Sequence, residues 1–555
     1  MWRVTLLTNC KKGGKKMRKK CLTVALVIVL TVFMLAGCGG DGPEANFEKM
    51  IRHNHGQEPE SIDPAISITV DGGNIVLACF EGLTTLDEND RPAPGVAEKW
   101  EVTPDLTKYT FYLRKNAKWS DGEPVTAKDF GYAWKRALAP ETQAEYAYQL
   151  YYIKNALEYN EGVAKAEDLG ITVIDDYTLE VELNAPTPYF LNLAAYPTLC
   201  PVRQDIIEEN DDQWALTPDT YIGNGPFELV EWQSRDHMKF LKNEYYWDKE
   251  RVKIDGIFKT FIGEESTMMA EYEAGRLDVI DSVPIEDKER LMAESDEFHA
   301  FPQLSTYNYS FNVTRPPFNN AKVREAFALA VDREDLVYKV SKSGFPATAF
   351  VPPNVPDAAE GTEFRTVGGD FFPTRAQPER AKELMEEAGY PGGEGFPDVT
   401  LIYNTSEEHQ VIAEAVLEMW KQNLGISNIY IQGQEFVAYI TNLQSGDFQM
   451  CRHCWVGDYT HAMSFLDLFT TGNGNNFTYW SNTDFDKLIN SARLAADEEE
   501  RIATLHDAET MIMDEAILIP LFHYTEDSMI KSYIKNLHKS TLGFTYFDRA
   551  EIVKK

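Results

Sequence analysis

A run of twelve residues at 448–459 combines two opposite charges, a large aromatic side chain and a glycine. The run predicts a strand followed by a loop. Asp458, next to Gly457 in the loop, could hold a ligand's ammonium group. Arg452, six residues upstream, could bind a carboxylate with its planar donors, and Trp455 offers a flat apolar wall. The pattern favours a ligand with an amine at one end and a carboxylate at the other. Taken alone, the run leaves open a turn cap, a surface cation and a core tryptophan.

The same run contains two cysteines, Cys451 and Cys454, at a spacing found in redox and zinc sites. In an extended strand, positions three apart point to opposite faces and lie about 10 Å apart. That distance is too long for a disulfide bond. With His453, Asp458 and His461 close by in sequence, a nickel, haem or zinc receptor stays open as an alternative. We expect no cofactor.

The N-terminal residues have the composition of an export signal. Residues 1–37 contain eight basic residues, no acidic residue and a short apolar run. This layout predicts a secretory signal peptide rather than the alternative, a plain transmembrane anchor. Residues 35–38 resemble the lipobox of bacterial lipoproteins, in which Cys38 becomes lipidated, and residues 38–46 would form a flexible tether. The codons for the lysines and glycines upstream could be a ribosome-binding sequence, which places the start of translation at Met17.

Charge and length limit the class of protein. The net charge is −35, and removal of eight basic residues with the signal lowers it to −43. So acidic a chain would repel phosphates, which excludes nucleic acid as a partner. The mature length of about 518 residues predicts two or more domains. The cysteines that remain are Cys79, Cys200, Cys451 and Cys454, too few for a disulfide framework.

Two segments in the first third of the chain have clear periodicity. Lys108–Leu113 alternates apolar and polar residues and predicts a half-buried strand. Thr126 with Asp129 predicts the start of a helix, whose apolar stripe includes Phe130 and Trp134. Strands and helices therefore alternate early in the chain.

Residues 399–448 predict strand, helix, strand, helix and strand. This rhythm indicates helices packed on a sheet. Ligands of such folds gather in the crevice outside the strand ends. We therefore expect Asn404 and His409, at the first strand–helix junction, to lie on one rim with Arg452 and Asp458.

Several longer runs follow one another in a fixed order. They are GLTTL at 82–86, PGVAEKW at 94–100, YTFYLR at 109–114, KWSDG at 118–122, VTAKDF at 125–130, NGPF at 224–227, NEYYWD at 243–248, PPFNN at 316–320 and GDY at 457–459. Together these runs resemble the family 5 extracellular solute-binding proteins, the peptide- and nickel-binding receptors of ABC importers. Within that family the chain is most similar to the oligopeptide-binding branch, over essentially all of the mature sequence.

The resemblance implies an α/β fold of the type II periplasmic-binding-protein-like, peptide-binding class. Such a fold has mixed sheets, two lobes joined by a hinge, and three domains. We expect lobe I to consist of 47–81, 205–309 and 523–555. A smaller domain would be inserted at 82–204, and lobe II would span 310–522.

The resemblance also implies a peptide site at the 448–459 run. Asp458 would bind the peptide's α-ammonium group, and Trp455 would flank the cleft. Arg452, His409 and Asn404 would lie where longer peptides place later residues or the carboxylate.

Five further residues complete the implied site. Phe436 stands where the family often has a second tryptophan, so that pocket would differ. Ile68 and Val70 would meet the peptide backbone as an added strand, which allows recognition of main chain without sequence. Tyr146 and Tyr524 would close the far wall.

These features predict a monomeric, lipid-anchored receptor on the extracellular face of the membrane of a Gram-positive cell. It would capture oligopeptides and deliver them to the permease and ATPase subunits of an ABC transporter. We expect no enzyme, since the chain contains no HExxH, GxSxG or GxxxxGKS motif. The alternatives are a metal-, haem- or dipeptide-binding receptor of the same family, or a receptor for signalling peptides.

Overall fold

The computed structural model describes residues 49–359 and 361–553. The predicted signal peptide, the Cys38 lipidation site, the tether at 38–46 and the start at Met17 lie outside these residues. From Lys49 onward the chain forms one unit, in which strands and helices alternate.

The strands are β1 Met50–Asn54, β2 Thr84–Leu86, β3 Pro92–Pro94, β4 Ala97–Val102, β5 Lys108–Leu113, β6 Ile171–Asp175, β7 Thr178–Glu182, β8 Phe227–Gln233, β9 His237–Lys242, β10 Gly256–Thr260, β11 Val279–Ile280, β12 Phe298–Phe311, β13 Phe345–Pro346, β14 Val399–Asn404, β15 Ile429–Gln434, β16 Met450–Val456, β17 Leu518–Ile530, β18 Ile534–Lys535, β19 His538–Lys539, β20 Thr545–Tyr546 and β21 Glu551–Ile552.

The α-helices are α1 Val70–Cys79, α2 Ala127–Leu138, α3 Ala156–Asn160, α4 Phe190–Leu193, α5 Gln204–Asn210, α6 Glu265–Glu273, α7 Ile285–Glu294, α8 Ala321–Leu329, α9 Arg333–Asp335, α10 Phe364–Gly368, α11 Pro378–Glu387, α12 Glu407–Leu424, α13 Phe436–Ser445, α14 Met463–Leu466, α15 Thr483–Leu494 and α16 Glu498–Asp514. A π-helix spans Leu336–Ser341, and 3₁₀ helices include Glu145–Leu150 and Asp467–Phe469.

A mixed sheet of eleven strands is the largest in the described part of the chain. Its order is β15-β14-β16-β12-β17-β11-β1-β10-β9-β8, and β13 also pairs with β17. The parallel pairs lie in two groups, one around β14 and the other around β1. In each group the carboxyl ends of the strands lead into helices, which is where α/β folds place their ligands.

Two long strands, β12 and β17, join these groups. We call β14, β15, β16 and the helices between them the β14 lobe, and β1, β8, β9, β10, β11 and theirs the β1 lobe. The antiparallel pairing of β12 with β17 is interrupted by a register shift between Pro302 and Thr306. Adjacent strands of this kind can act as a hinge. The predicted domain limits at 309/310 and 522/523 fall inside these strands and stay a prediction.

The predicted strand–helix alternation after residue 399 is confirmed. The elements are β14, α12, β15, α13 and β16, in that order. Helix α12 buries Ile412, Val416 and Trp420, which share one face because they are four residues apart. The Ser406 side chain caps its first turn, and Gly425 ends it in the left-handed conformation with φ of 75°.

A smaller antiparallel sheet with the order β4-β5-β7-β6 lies within the predicted inserted domain. The predicted strand Lys108–Leu113 is its β5. Helix α2 begins with the predicted capping pair, in which the Thr126 backbone N–H donates to Asp129 Oδ2 at 2.7 Å. Phe130 and Trp134 are fully buried, as their helical spacing predicts. The local periodicity of the sequence therefore predicts both β5 and α2.

All four cysteines of the described part carry free thiols. They are Cys79, Cys200, Cys451 and Cys454. The predicted lack of a disulfide framework therefore holds for residues 49–359 and 361–553. In the same residues, no helix is both long and apolar enough to cross a membrane.

Candidate ligand-binding site

A cavity of about 200 Å³ lies where both lobes and the segment carrying the smaller sheet come together. It is lined by Ile68, Thr69, Val70 and Asp71 at the start of α1, by Tyr146, Tyr196 and Asn404, by Phe436, Tyr439, Ile440 and Leu443 of α13, by residues 452–458, and by Asn475, Phe477, Leu542 and Phe544. Strand β16 and the residues after it thus form one continuous wall of the cavity.

The backbone around Asp458 is held in place on both sides. The Gly457 N–H donates to the Leu304 carbonyl oxygen at 2.8 Å, and the Asp458 N–H donates to Ser464 Oγ at 2.6 Å. A Cβ atom at Gly457 would lie 2.8 Å from the Phe465 ring, closer than packed atoms come. Glycine is therefore required before the aspartate, and the buried carboxylate has a fixed position.

The Asp458 carboxylate has no basic side chain beside it in the described part of the chain. It accepts a hydrogen bond from Gln149 Nε2. Burial raises the pKa of Asp458 to about 8, and hydrogen bonds from Tyr196 and Gln149 only partly offset that effect. Ionising a buried acid without a cation costs free energy. An ammonium group in the cavity would remove this cost.

Aromatic rings form the walls next to Asp458. The Trp455 Nε1–H donates to the Ser464 carbonyl oxygen at 2.7 Å, which fixes the indole. The Tyr146 ring stacks on it with centroids 6.3 Å apart and planes 10° apart, and Tyr196 stacks on Tyr146 at 5.5 Å. Rigid rings of this kind provide flat apolar surface at this end of the cavity.

Arg452, in β16, brings a positive charge to the cavity that contains Asp458. Its guanidinium lies 4.5 Å from the centroid of the Tyr307 ring, and Nη1 donates to Asn404 Oδ1 at 3.4 Å. Its Nε has no hydrogen-bond partner, and in the described part of the chain no carboxylate lies within ion-pair distance. A half-buried guanidinium without an anion is well suited to bind a ligand's carboxylate.

His409 is not among the lining residues of the cavity. Its Nδ1 lies 3.3 Å from the Tyr307 hydroxyl. Burial lowers the pKa of His409 well below its ordinary value, and the nearby Arg452 and Lys288 lower it further, so the side chain is neutral. Its expected place on one rim with Arg452 stays a prediction.

Tyr146 is a lining residue of the cavity, and Tyr524 is not. Tyr146 lies beside Asp458, whose charge adds to burial in raising the pKa of its hydroxyl. The Tyr524 hydroxyl donates to Glu408 Oε2 at 3.4 Å, near Arg452. The expectation that both tyrosines close one wall stays a prediction.

Ile68 and Val70 line the cavity but belong to no strand of the described part. The Ile68 N–H donates to Glu60 Oε1 at 2.8 Å, so this donor is occupied. Val70 begins α1, with Thr69 as its N-cap. Pairing of this segment with a peptide backbone stays a prediction.

The side of the cavity formed by α13 is apolar. Phe436, Ile440 and Leu443 line it, together with Ile68 and Phe477. Only Phe436 and Ile68 were expected from the sequence. Ile440 and Leu443 follow Phe436 at helical spacing, and this periodicity was the signal that could have found them. The wall can accept apolar side chains of a ligand.

The lobes also contact each other directly, at the N-termini of α6 and α12. Ser406 Oγ and the Glu407 N–H donate to the Glu265 carboxylate at 2.5 and 2.9 Å. In return, the Ser266 N–H and Oγ donate to the Glu407 carboxylate at 3.1 and 2.8 Å. Each helix thus supplies an acidic cap for the other.

A buried ion pair lies next to these caps. Lys288 Nζ of α7 lies 2.9 Å from Glu408 Oε1 of α12 and 3.0 Å from Asp527 Oδ2 of β17. All three side chains are less than one-tenth exposed. We call the set of contacting residues the clamp: Glu265, Ser266, Lys288, Ser406, Glu407 and Glu408.

The family of this chain is decided by a match to the model of the bacterial extracellular solute-binding proteins, family 5, middle region. The match covers residues 91–477, more than half of the chain. The chain belongs to this family. The predicted resemblance is confirmed, and family 5 membership makes the chain a solute-binding protein.

Relatives match this family 5 chain over nearly its whole length. The dipeptide-binding protein DppE of Bacillus subtilis is 36% identical over 541 residues, covering 95% of this chain and 98% of DppE. The peptide-bound structure of OppA from Listeria monocytogenes matches with a TM-score of 0.86 at 29% identity, covering 92% of this chain and 100% of the other. Haemophilus influenzae OppA in complex with RPPGFSPFR matches at 0.84 and 32% identity, covering 91% and 99%. The predicted type II periplasmic-binding-protein-like fold is confirmed.

The residues of the metal alternative divide into two groups in this family 5 protein. His453, Cys454 and Asp458 line the cavity, and Cys451 and His461 do not. His461 Nε2 lies 3.0 Å from Glu498 Oε1, and Cys451 is fully buried. Within residues 49–359 and 361–553, no group of three or more His, Cys, Asp or Glu side chains could hold a metal ion.

Proposed function

We propose that this chain captures extracellular oligopeptides between its two lobes and delivers them to the permease of an ABC transporter. One observation carries the proposal. A single cavity contains a buried carboxylate, Asp458, and a half-buried guanidinium, Arg452, and neither forms an ion pair in the described part of the chain. A peptide with free termini supplies both missing charges.

The positions of the two charges leave room for a peptide. Arg452 lies in β16 and Asp458 lies two residues beyond its end. At about 3.3 Å per residue, their Cα atoms are at most about 20 Å apart. An amino acid holds its two charges only one residue apart, whereas a peptide of several residues can approach both ends.

The relatives support the same ligand class. DppE is named for dipeptides, and the Listeria and Haemophilus OppA structures contain peptides. A dipeptide-binding receptor is therefore the second candidate, and the length of the natural ligand separates the two. The apolar wall of α13 and the rings of Trp455 and Tyr146 would contact side chains without selecting one sequence.

Mass spectrometry of small molecules released on unfolding the purified mature protein tests the proposal. We expect a mixture of short peptides with free N-termini. Peptides of three or more residues would support the oligopeptide receptor, and dipeptides alone would support the second candidate. A single metal complex, sugar or other small molecule would contradict both. Recovery of intact peptides after prolonged incubation would also agree with a receptor that is not an enzyme.

The location outside the cell follows from the predicted lipid anchor. We propose that Cys38 attaches the protein to the extracellular face of the membrane, where a monomer can reach its permease and ATPase partners. Mass spectrometry of the N-terminal peptide of the membrane-extracted protein should show Cys38 as its first residue, with the added mass of a lipid. An unmodified Cys38 would contradict the anchor.

A further inference from the structure

Asp71 is a second acidic residue of the same cavity, which the sequence reasoning missed. It lies in the first turn of α1 and lines the cavity together with Asp458 and Arg452. Its side chain is 36% exposed. In the described part of the chain, no lysine or arginine lies within ion-pair distance of its carboxylate. The carboxylate therefore faces the cavity without a cation.

The nearest polar neighbour of Asp71 is a neutral histidine. His55 Nε2 lies 3.0 Å from the Asp71 carbonyl oxygen and 3.9 Å from Oδ1. Lys259 Nζ lies 3.4 Å from His55 Nδ1, so the lysine donates there and the histidine proton is on Nε2. Burial and the charge of Lys259 lower the pKa of His55 well below its ordinary value. His55 thus offers Asp71 a dipole rather than a positive charge.

Burial affects the charge of the Asp71 carboxyl. It raises the pKa of Asp71 to about 7, the charges of Glu60 and Asp281 act in the same direction, and the charge of Lys259 opposes them only in part. Lys259 is directed at His55 Nδ1 and makes no ion pair with Asp71 in the described part of the chain. A cation that enters the cavity next to Asp71 would therefore stabilise its ionised form.

Charge matching in the cavity then points to the ligand. Its lining residues include the carboxylates of Asp71 and Asp458 and the guanidinium of Arg452. Burial also keeps the lining residue His453 neutral by lowering its pKa to about 3. The two termini of a peptide match Asp458 and Arg452 and leave Asp71 unmatched.

We propose that Asp71 forms a subsite for a positively charged side chain, so that the cavity prefers peptides containing lysine or arginine. This inference rests on the proposed function, and it names the class of peptide that completes the charge balance. It requires no rearrangement of the protein, because the carboxylate already faces the cavity.

Calorimetry with a positional peptide series tests the subsite. The peptides are trialanine and its variants with lysine, norleucine or glutamate at each position. They are measured at pH 8 and 0.15 M salt, where Asp71 is mostly ionised. At one position, lysine should bind about tenfold more tightly than norleucine, which has a similar shape without charge. Glutamate at that position should bind more weakly than norleucine.

Two variants separate the subsite from general electrostatics. Asp71→Asn should reduce the lysine preference, measured as the ratio of the norleucine and lysine dissociation constants, to less than about twofold. Glu167→Gln removes an exposed acid whose side chain is 73% exposed, and it should leave the preference intact. This control shows whether the preference comes from the overall negative charge of the chain.

The outcomes are distinguishable. Binding of trialanine without a lysine preference at any position would overturn the subsite and leave the proposed function standing. A lysine preference that survives Asp71→Asn would also overturn the subsite. If no peptide binds the wild-type protein, the proposed function and the subsite both fail.

Discussion

The two lobes meet in two places that differ in how their charges are satisfied. In the clamp, Glu265 and Glu407 cap each other's helices, and Lys288 pairs with Glu408 and Asp527. In the cavity, Asp458, Asp71 and Arg452 form no ion pair with a charged side chain of the described residues. Both regions join the same lobes. They differ in whether their charges are paired by side chains of the protein or are left for a ligand to pair.

The comparison separates the contacts between the lobes that the protein completes by itself from the charges that a ligand is needed to pair. The clamp completes its own hydrogen bonds, so it stabilises the observed contact between the lobes with or without a ligand. The cavity contains buried charges that only an outside molecule can pair, and unpaired buried charges are costly. Clamp variants should therefore act on stability and on all ligands alike, whereas cavity variants should act according to the ligand's charges.

The largest effect is expected from removing the clamp cation. Lys288→Ala leaves Glu408 and Asp527 buried beside each other without a positive charge, which should lower the free energy of unfolding by about 3–5 kcal/mol. Urea unfolding without ligand measures this. Lys487→Ala serves as a control, because its ion pair with Asp484 is exposed and should contribute almost nothing. Equal stability of the two variants would show that the clamp does not hold the lobes.

The next largest effect is expected in the cavity. Asp458→Ala should weaken binding of trialanine by at least about tenfold, because it removes the partner of a buried ammonium group. Stability without ligand should not fall, since burial of Asp458 already disfavours its charge. Calorimetry and urea unfolding measure the two quantities. An unchanged dissociation constant would refute the role of Asp458.

Lowering the pH should weaken peptide binding in the cavity. Asp458 must be ionised to pair with an ammonium group, and its pKa without ligand is about 8. Between pH 8 and pH 6, affinity for trialanine should fall by up to about tenfold per pH unit, as protons compete for the carboxylate. At pH 7, binding should release close to one proton, measured by calorimetry in buffers of different ionisation enthalpy. Asp458→Asn should release none, and equal release by both proteins would contradict the assignment.

The smallest effect is expected from one clamp cap. Ser406→Ala removes the N-cap of α12 and a donor to Glu265, which should lower the free energy of unfolding by about 1 kcal/mol. Peptides with and without a lysine should lose affinity by the same small factor. A loss of affinity that differs between the two kinds of peptide would contradict the separate roles of the clamp and the cavity.

The fold was predictable where the signal is local or the family resemblance is strong. The elements from β14 to β16 follow from apolar spacing that a window of a few residues contains. Asp458, Trp455 and Arg452 lie within one short run, so their presence in one cavity follows once that run is placed. The resemblance added the overall architecture, which periodicity alone does not determine.

The rest of the site depends on contacts between distant parts of the chain. Gln149 reaches Asp458 across 309 positions, and Glu265 reaches Ser406 across 141. No local pattern marks such pairs. Asp71 looked like an ordinary first-turn acid of a helix, and only the cavity shows that it lacks a cation.

The central claim is that the peptide's ammonium group completes the cavity at Asp458, and a thermodynamic cycle tests it most directly. Dissociation constants of trialanine and N-acetyl-trialanine are measured for the wild-type protein and for Asp458→Asn. Acetylation should weaken binding to the wild-type protein by at least about tenfold and to the variant by less than about twofold. Equal weakening of both proteins would contradict the claim, because the ammonium group would then be recognised elsewhere.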